Sequence, residues 1–283
     1  MRRRRGRFRD QLRLAMGNSW ERSGWGGVGL SSWRGEEIRG GGVRLVRGAG
    51  ELRFMRAILF DFDGLMVDTE TAIYDAWREL YEDHGQELPL ATYVQCVGST
   101  FGHYDPMAAL EELTGGPVEW ERVLARKDAR IHELQAGLDT MPGVREVLAE
   151  AAGMGVRCAV ASSSQRSHVG RWLARTGLEG AFEAVLTRDD VARAKPWPDL
   201  FLAASAALGV APEEALVLED SHNGLRAAVA AGVPCVVVPS PVTRGLDFGG
   251  AAAVLPTLHE VSVGQLREIH RGFALARAGK VGE

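Results

Sequence analysis

The chain has 283 residues, a hydrophobic content of 46% and a net charge of −4 at pH 7, which is ordinary for a globular protein of roughly two domains. Its apolar runs fall short of the ~20 residues that a membrane-spanning helix needs, so the composition argues against an integral membrane protein. The charge is uneven, because residues 1–54 carry +8 and the remainder carries −12, and so acidic a body argues against a nucleic-acid-binding protein.

Residues 1–54 show no sustained helical or strand periodicity. They open on MRRRRGRFRD and continue through glycine-rich stretches with scattered tryptophans. Too little apolar surface recurs at any one spacing to offset the entropy of ordering the backbone. We therefore interpret these residues as a disordered Arg/Gly-rich extension, or as sequence upstream of a true start at Met55. A basic nucleic-acid-binding arm and an Arg-rich transit peptide are the alternatives.

The next segment predicts a helical insertion. A short apolar strand is expected over residues 57–60, and helical patterns follow without a convincing strand. The predicted helices of this segment span residues 72–84, 106–113 and 120–134. Pro142 ends the segment, because strands and helices alternate after it. The predicted domains are a core of residues 55–68 and 141–283 and an all-helical cap of residues 69–140.

Strands and helices alternate in the rest of the chain. Helices are predicted over residues 144–154, 166–176, 199–208, 225–231 and 261–276, and strands over residues 156–161, 184–187, 215–218 and 234–238. The strands are continuous apolar runs, as expected when helices cover both faces of a sheet. Repeated βα units predict the α/β class, with a doubly wound, Rossmann-like parallel sheet.

Polar side chains follow the predicted strands of this sheet. They are Asp61 and Asp63 in FDFDG, Ser162 after VA, Lys195 in AKPWPD, and Glu219 and Asp220 in VLEDSHNG. The carboxyl ends of parallel strands meet at one edge of a sheet, where such folds bind ligands. Carboxylates at a buried strand end need a cation or hydrogen-bond donors. The sequence therefore predicts a site for a phosphoryl group beside a divalent cation.

Taken one at a time, several of these residues have structural explanations. Ser162 alone favours a helix N-cap, because Gln165 follows at capping-box spacing. Glu219 and Asp220 could equally cap the helix that follows them. Asp199, after Pro198, is interpreted as a structural partner or an acid at a helix start. The three cysteines lie far apart in sequence and are interpreted as reduced core residues: Cys96, Cys158 and Cys235.

The four motifs together resemble the haloacid dehalogenase superfamily, and specifically its β-phosphoglucomutase-like branch of small-molecule phosphatases with a helical cap. The resemblance covers residues 57 to about 260, and all four motifs occur in the family's order. It implies a Mg²⁺-dependent hydrolase. Asp61 is the implied nucleophile, which attacks phosphorus and forms an aspartyl-phosphate. Asp63 is the implied general acid and base, and we expect it to start protonated beside its carboxylate neighbours.

The resemblance also assigns the metal and the phosphate contacts. Asp220 is the implied Mg²⁺ ligand, with Glu219 in the first coordination sphere or just outside it, and Asp61 and Asp63 complete the metal set, the latter through its backbone carbonyl. Phosphate binding is implied for Ser162, Ser163 and Lys195. Such donors stabilise the charge that develops on the phosphoryl oxygens.

The cap sets substrate choice in this family by closing over the active site. The candidate substrate contacts are Thr69, Glu70, Gly98, Ser99, Thr100 and His103, with Tyr104 beside them. A sugar phosphate or another small phosphorylated metabolite fits these polar residues best.

Three other activities are weighed against the phosphatase. Mutases of this branch typically carry a histidine about ten residues after the second aspartate and an arginine in the cap, where this chain has Ile73 and Gln95. The mutase therefore stays as the alternative. Phosphonate hydrolases lack the second aspartate and need a Schiff-base lysine, whereas the lone lysine of the predicted cap, Lys127, is expected to be exposed. A non-enzymatic protein that binds nucleic acid through residues 1–54 is the third.

The prediction from sequence is thus a phosphatase of small phosphomonoesters with Mg²⁺ as cofactor. We expect a cytoplasmic monomer whose partner is a small phosphorylated metabolite, and which binds neither nucleic acid nor membranes.

Overall fold

The computed structural model describes residues 54–98 and 104–279. Its strands are β1 Ala57–Phe60, β2 Arg157–Ala161, β3 Ala184–Leu186, β4 Ala215–Glu219, β5 Cys235–Val237 and β6 Ala253–Val254. They form one parallel sheet in the order β3-β2-β1-β4-β5-β6. The predicted α/β doubly wound fold is confirmed. The predicted disorder of residues 1–53 lies outside the described residues.

Helices α1 to α4 make up the helical cap, and α5 to α9 flank the sheet. The cap helices are α1 Thr69–Asp83, α2 Leu90–Tyr93, α3 Pro106–Thr114 and α4 Trp120–Leu134. The helices of the core are α5 Val144–Gly153, α6 Arg166–Thr176, α7 Asp199–Ala207, α8 His222–Ala231 and α9 Val263–Gly279. Within the described residues, every helix is too short or too polar to cross a lipid bilayer.

The sheet order explains why the predicted site residues meet. Strand β1 lies between β2 and β4, with Phe60 level with Val160 on one side and Leu218 on the other. The backbone N–H of Asp61 continues the ladder by donating to the carbonyl of Leu218 at 2.9 Å. The residues that follow these three strands therefore emerge side by side at one edge of the sheet.

Several elements differ from the sequence prediction. Helix α1 begins at Thr69, three residues early, because the carboxylate of Asp68 accepts from the backbone N–H of Thr71 and caps the first turn. Strand β3 is half-buried rather than buried, because it is the edge strand and lacks a neighbour on one side. Strand β6 and helix α2 were not predicted, because two and four residues are too few to carry a recognisable period.

The core and the cap have separate apolar clusters. One face of the sheet packs against α7 and α8 through residues such as Leu59, Val217, Phe201 and Leu225. The cap cluster is built by Trp77, Leu80, Tyr81, Leu88, Tyr93, Cys96, Val97 and Leu110, and a residue of the core, Val242, also belongs to it. The two connections between core and cap touch, since the N–H of Met141 donates to the carbonyl of Met66 at 2.8 Å.

Candidate active site

Lys195 lies at the centre of the acidic edge of the sheet. Its side chain, 0% exposed, comes from the loop between β3 and α7. The Nζ atom contacts Asp61 Oδ1 and donates to Glu219 Oε1 at 2.7 Å. It also lies 4.9 Å from the centre of the Phe201 ring. Because one buried ammonium joins two buried carboxylates, the charges of this cluster partly compensate one another.

Glu219 is fixed by donors on both of its oxygens. While Oε1 accepts from Lys195, Oε2 accepts from the backbone N–H groups of Asp220 and Ser221 and from the Ser221 hydroxyl, at 2.7–2.9 Å. The N-cap of α8 is Ser221, whose hydroxyl accepts from the N–H of Gly224. Glu219 therefore stabilises the turn that precedes α8, without being its N-cap.

Three carboxylates form a candidate cation site. One oxygen from each of Asp61, Glu219 and Asp220 lies within 4.8 Å of the other two. Asp220 Oδ2 is buried and has no hydrogen-bond partner among the described residues. The backbone of Gly64 lies close to this oxygen, since a Cβ added there would stand 2.2 Å from it. A buried carboxylate oxygen without a donor fits a metal ion, and an all-oxygen set suits Mg²⁺.

The raised pKa values of these carboxylates also fit a cation site. Burial and the charge of Glu219 raise the pKa of Asp61 to about 8, against the opposing effect of Lys195. Burial and the charges of Glu219 and Asp61 raise the pKa of Asp220 well above its usual value. Burial alone lowers the pKa of Lys195, but the charges of Asp61 and Glu219 raise it overall. A divalent cation would let both aspartates ionise near neutral pH.

Asp63 is held by three polar side chains. Its Oδ1 accepts from the Thr69 hydroxyl at 2.6 Å and lies 2.8 Å from His168 Nε2, while Oδ2 accepts from the Ser164 hydroxyl at 2.6 Å. Burial alone raises the pKa of Asp63, but the hydrogen bonds and the charge of His168 lower it overall. This direction is opposite to the expectation that Asp63 starts protonated, because its three partners outweigh the effect of burial.

Ser162 and Ser163 lie in the loop between β2 and α6. Ser162 is buried, and its Oγ accepts from the N–H of Ser164 at 3.0 Å. It is not the N-cap of α6, because that position is Gln165. Ser163 donates through its hydroxyl to the carbonyl of Gly98 at 3.3 Å, so in this conformation it contacts the cap.

A model of a known protein family matches most of this chain. The family model of haloacid dehalogenase-like hydrolases matches residues 58–238, which is more than half of the chain. The chain belongs to this family.

Relatives of the haloacid dehalogenase-like hydrolase agree with this assignment. The chain is 40% identical to the putative phosphatase YhcW of Bacillus subtilis over 194 residues, 69% of this chain and 88% of the relative. It is similar to the solved structure of CbbY from Rhodobacter sphaeroides in complex with phosphate, with a TM-score of 0.62, 31% identity, and coverage of 75% and 99%. A putative β-phosphoglucomutase from Thermotoga maritima matches with a TM-score of 0.56, 27% identity, and coverage of 77% and 98%. The resemblance to this branch is thereby confirmed.

The predicted substrate residues of this hydrolase are only partly described. Thr69 and Glu70 lie in the first turn of α1, and Thr69 contacts Asp63. Burial and the charges of Asp63 and Asp61 raise the pKa of Glu70 to about 8. The backbone of Gly98 lies against the start of α8. Tyr104 is described, and its hydroxyl lies 3.0 Å from the hydroxyl of Tyr81 in the cap. Three further candidates lie outside the described residues: Ser99, Thr100 and His103.

Sequence reasoning missed two residues of the site. Ser164 and His168 both bind the Asp63 carboxylate, although they are more than a hundred positions away in sequence. Their signal in the sequence was weak, because it consisted of one more serine in SSSQ and a histidine in the first turn of the helix that follows Ser162 and Ser163.

Two further predictions about charged residues have opposite outcomes. The interpretation of Asp199 as a structural partner is confirmed by its ion pair with Arg193 at 2.9 Å. The expectation that Lys127 is exposed is wrong. Its side chain is 10% exposed, because its Nζ lies 5.0 Å from the centre of the Trp77 ring and pairs with Asp128.

Proposed function

We propose that this hydrolase is a Mg²⁺-dependent phosphatase that cleaves a small phosphomonoester, a sugar phosphate or a related metabolite, through an aspartyl-phosphate on Asp61. The observation that carries the proposal is the buried set of Asp61, Glu219 and Asp220, with an unpartnered oxygen on Asp220. Among the described residues, Lys195 is the cation in direct contact with this set. The phosphatase class is also supported by the family and by the name of the Bacillus subtilis relative.

The metal would be held by Asp61, Asp220 and the backbone carbonyl of Asp63, with Glu219 in or beside the coordination sphere. A bound Mg²⁺ would supply positive charge to the phosphoryl oxygens and bring the substrate phosphate against the nucleophile. Both partners of Glu219, Lys195 and the start of α8, hold its carboxylate in place. We therefore assign Glu219 to positioning the metal site rather than to attack on phosphorus.

Asp61 is assigned as the nucleophile because of the position of its carboxylate. Its Oδ1 contacts Lys195, and Asp61 directly follows β1 at the edge of the sheet where parallel folds bind ligands. One Asp61 oxygen attacks phosphorus, the bond from phosphorus to the alkoxide leaving group breaks, and water then hydrolyses the aspartyl-phosphate. Lys195, Ser162 and Ser163 are proposed to bind the phosphoryl oxygens throughout.

Asp63 is assigned as the acid and base that serves both steps. Without substrate its carboxylate is ionised, because Thr69, Ser164 and His168 lower its pKa. A phosphate dianion arriving beside it opposes this ionisation and favours proton uptake. Asp63 then protonates the leaving alkoxide and later accepts a proton from the attacking water.

The described part of the cap favours a single phosphate site. Ile73, where a mutase typically has histidine, packs against the apolar cap cluster. Arg78 and Arg130 form ion pairs with acids of the cap, and Lys127 covers Trp77. A mutase must bind a second phosphate, whereas hydrolysis needs one phosphate site and access for water.

Glu70 is proposed to contact the substrate beyond its phosphate. Burial and the charges of Asp63 and Asp61 raise its pKa to about 8, which favours a protonated carboxyl that donates a hydrogen bond as well as accepting one. Such a group pairs well with a hydroxyl, which supports a polyhydroxylated substrate. Thr69, Gly98, Ser99, Thr100 and His103 complete the proposed substrate contacts.

The cellular compartment and the partners of the enzyme are also part of the proposal. The three cysteines are buried as thiols rather than joined in disulfides, as predicted, which suits a reducing compartment such as the cytoplasm. We propose a monomer that acts on a soluble phosphorylated metabolite and binds neither nucleic acid nor membranes.

The test is a screen of the full chain against phosphorylated metabolites in the presence of Mg²⁺. We expect phosphate release that requires Mg²⁺ and disappears in Asp61→Asn. An exposed cap acid gives the control, since Asp128→Asn removes the same charge away from the site and should retain turnover. Activity retained by Asp61→Asn or in excess chelator would refute the proposal, and isomerisation of a hexose 1-phosphate would favour the mutase.

A further inference from the structure

Two side chains of the core hold the backbone of the cap at the residues that follow α2. Asn223, which is 6% exposed, donates from Nδ2 to the carbonyl of Val97 at 2.8 Å. Ser163 donates from its hydroxyl to the carbonyl of Gly98 at 3.3 Å. The backbone also approaches the core closely at this point, since a Cβ on Gly98 would lie 2.2 Å from Ser221 Oγ.

An apolar contact accompanies these hydrogen bonds. Val242, in the loop after β5, is 4% exposed and belongs to the apolar cluster of the cap, together with Tyr93 and Val97. The next residue, Thr243, donates from its hydroxyl to the backbone carbonyl of Asp220 at 2.7 Å. The loop that reaches into the cap therefore also holds the backbone of a proposed metal ligand.

Three core loops meet the cap around Val97 and Gly98, namely those after β2, β4 and β5. Two of them carry proposed site residues, Ser163 and Asp220, and the third is bonded to Asp220. The cap packs against the core in this arrangement only when these loops have the conformation seen here, because each contact needs a specific hydrogen-bond donor or a specific methyl group.

We propose that Asn223 is a positioning residue that holds the cap closed on the core through its hydrogen bond, and that Val242 supports the same closed position through its apolar contact. The cap then docks preferentially on a core whose phosphate and metal loops are already formed. The Asn223 bond connects a buried amide to a buried carbonyl, so its loss leaves the Val97 carbonyl without this donor until the cap opens and water replaces it. Only the kinetic part of the test below rests on the proposed function.

The first readout is hydrogen exchange of the full chain, which needs no activity. We expect Asn223→Ala and Val242→Ala each to raise the exchange of backbone amides in residues 93–98 by about tenfold, while α5, which lies in the core, stays unchanged. Asn223→Asp at neutral pH separates the donor from side-chain volume, since aspartate has nearly the same size but accepts only. The control is Arg226→Ala, an exposed residue one turn further along α8.

The second readout is steady-state kinetics with the best phosphomonoester. We expect kcat/KM to fall about tenfold in Asn223→Ala and in Val242→Ala, with a raised KM, and to stay at the wild-type value in Arg226→Ala. If either Asn223→Ala or Val242→Ala fails to fold, the other variant still tests the proposal. Unchanged exchange over residues 93–98 in the variants, or wild-type exchange in Asn223→Asp, would overturn the proposal. An inactive wild type would refute the proposed function, and the hydrogen-exchange result would then test the role of Asn223 by itself.

Discussion

His168 Nε2 lies 2.8 Å from Asp63 Oδ1, although the two residues are 105 positions apart in sequence. The imidazole ring also stands edge-on to Phe62, with 6.3 Å between the ring centres. Burial lowers the pKa of His168, but the hydrogen bond and charge of Asp63 raise it overall, and the same contact lowers the pKa of Asp63. The pair therefore favours an imidazolium beside a carboxylate.

We expect His168→Ala to move the alkaline limb of the pH–rate profile to higher pH by roughly one unit. Without the imidazolium the ionised form of Asp63 loses a stabilising partner, so its pKa rises and Asp63 keeps the proton for the leaving alkoxide up to a higher pH. The profile of kcat/KM measures this shift, because it reports the first step, in which Asp63 is the proposed acid. Ser167→Ala, an exposed neighbour on the same helix turn, is the control, and an alkaline limb that stays in place would show that His168 does not act on Asp63.

We expect Lys195→Met to destabilise the protein by about 3–5 kcal/mol and to abolish turnover. The substitution keeps much of the side-chain length over Phe201 but removes the positive charge between Asp61 and Glu219. Urea unfolding at neutral pH without Mg²⁺ measures the loss. The exposed Arg188 gives the control, since Arg188→Met should change the free energy of unfolding by less than about 0.5 kcal/mol. A Lys195→Met protein as stable as wild type would contradict the buried charge cluster.

We expect Gly64→Ala to weaken Mg²⁺ binding, while Gly85→Ala does not. Both glycines have a left-handed backbone, with φ of +82° and +70°, so both substitutions carry a similar conformational cost of about 1 kcal/mol. A Cβ at Gly64 would lie 2.2 Å from Asp220 Oδ2, whereas one at Gly85 meets no atom within 4 Å. Titration of activity against Mg²⁺ separates the two effects. Equal Mg²⁺ requirements in both variants would argue against Asp220 as a ligand.

We expect the metal-free protein to lose stability as the pH rises. In the folded state the pKa of Asp61 is raised from 3.8 to about 8, so the folded chain keeps this proton while the unfolded chain releases it. The stability is thus present below about pH 4 and lost as the pH rises through about 8.

The melting temperature in chelator should therefore fall between about pH 5 and about pH 8, and Mg²⁺ should reduce this fall because it favours the ionised carboxylates. Asp61→Asn should flatten the pH dependence in chelator. Identical slopes with and without Mg²⁺ would contradict a metal site at Asp61 and Asp220.

Much of the fold follows from local patterns in the chain. The strands predicted over residues 57–60 and 215–218 are uninterrupted apolar runs, and helices such as Trp120–Leu134 carry their own period, so each could be identified without knowledge of its neighbours. Strand β6 could not, because its two residues pair with β5 only after the chain has folded. The half-burial of β3 likewise depends on its place at the edge of the sheet.

The residues that build the polar cluster could be predicted from the sequence. Acidic residues directly after apolar strands are costly to leave unpaired at a buried sheet edge, so the sequence predicted a cation beside Asp61, Glu219 and Asp220, and Lys195 was the basic residue of the nearby motif. The hydrogen-bond partners of Asp63 and the contacts between core and cap became visible only in the folded chain. Both depend on hydrogen bonds between distant segments, from His168 to Asp63 and from Asn223 to Val97, and such pairs leave no spacing in the sequence by which they could be recognised.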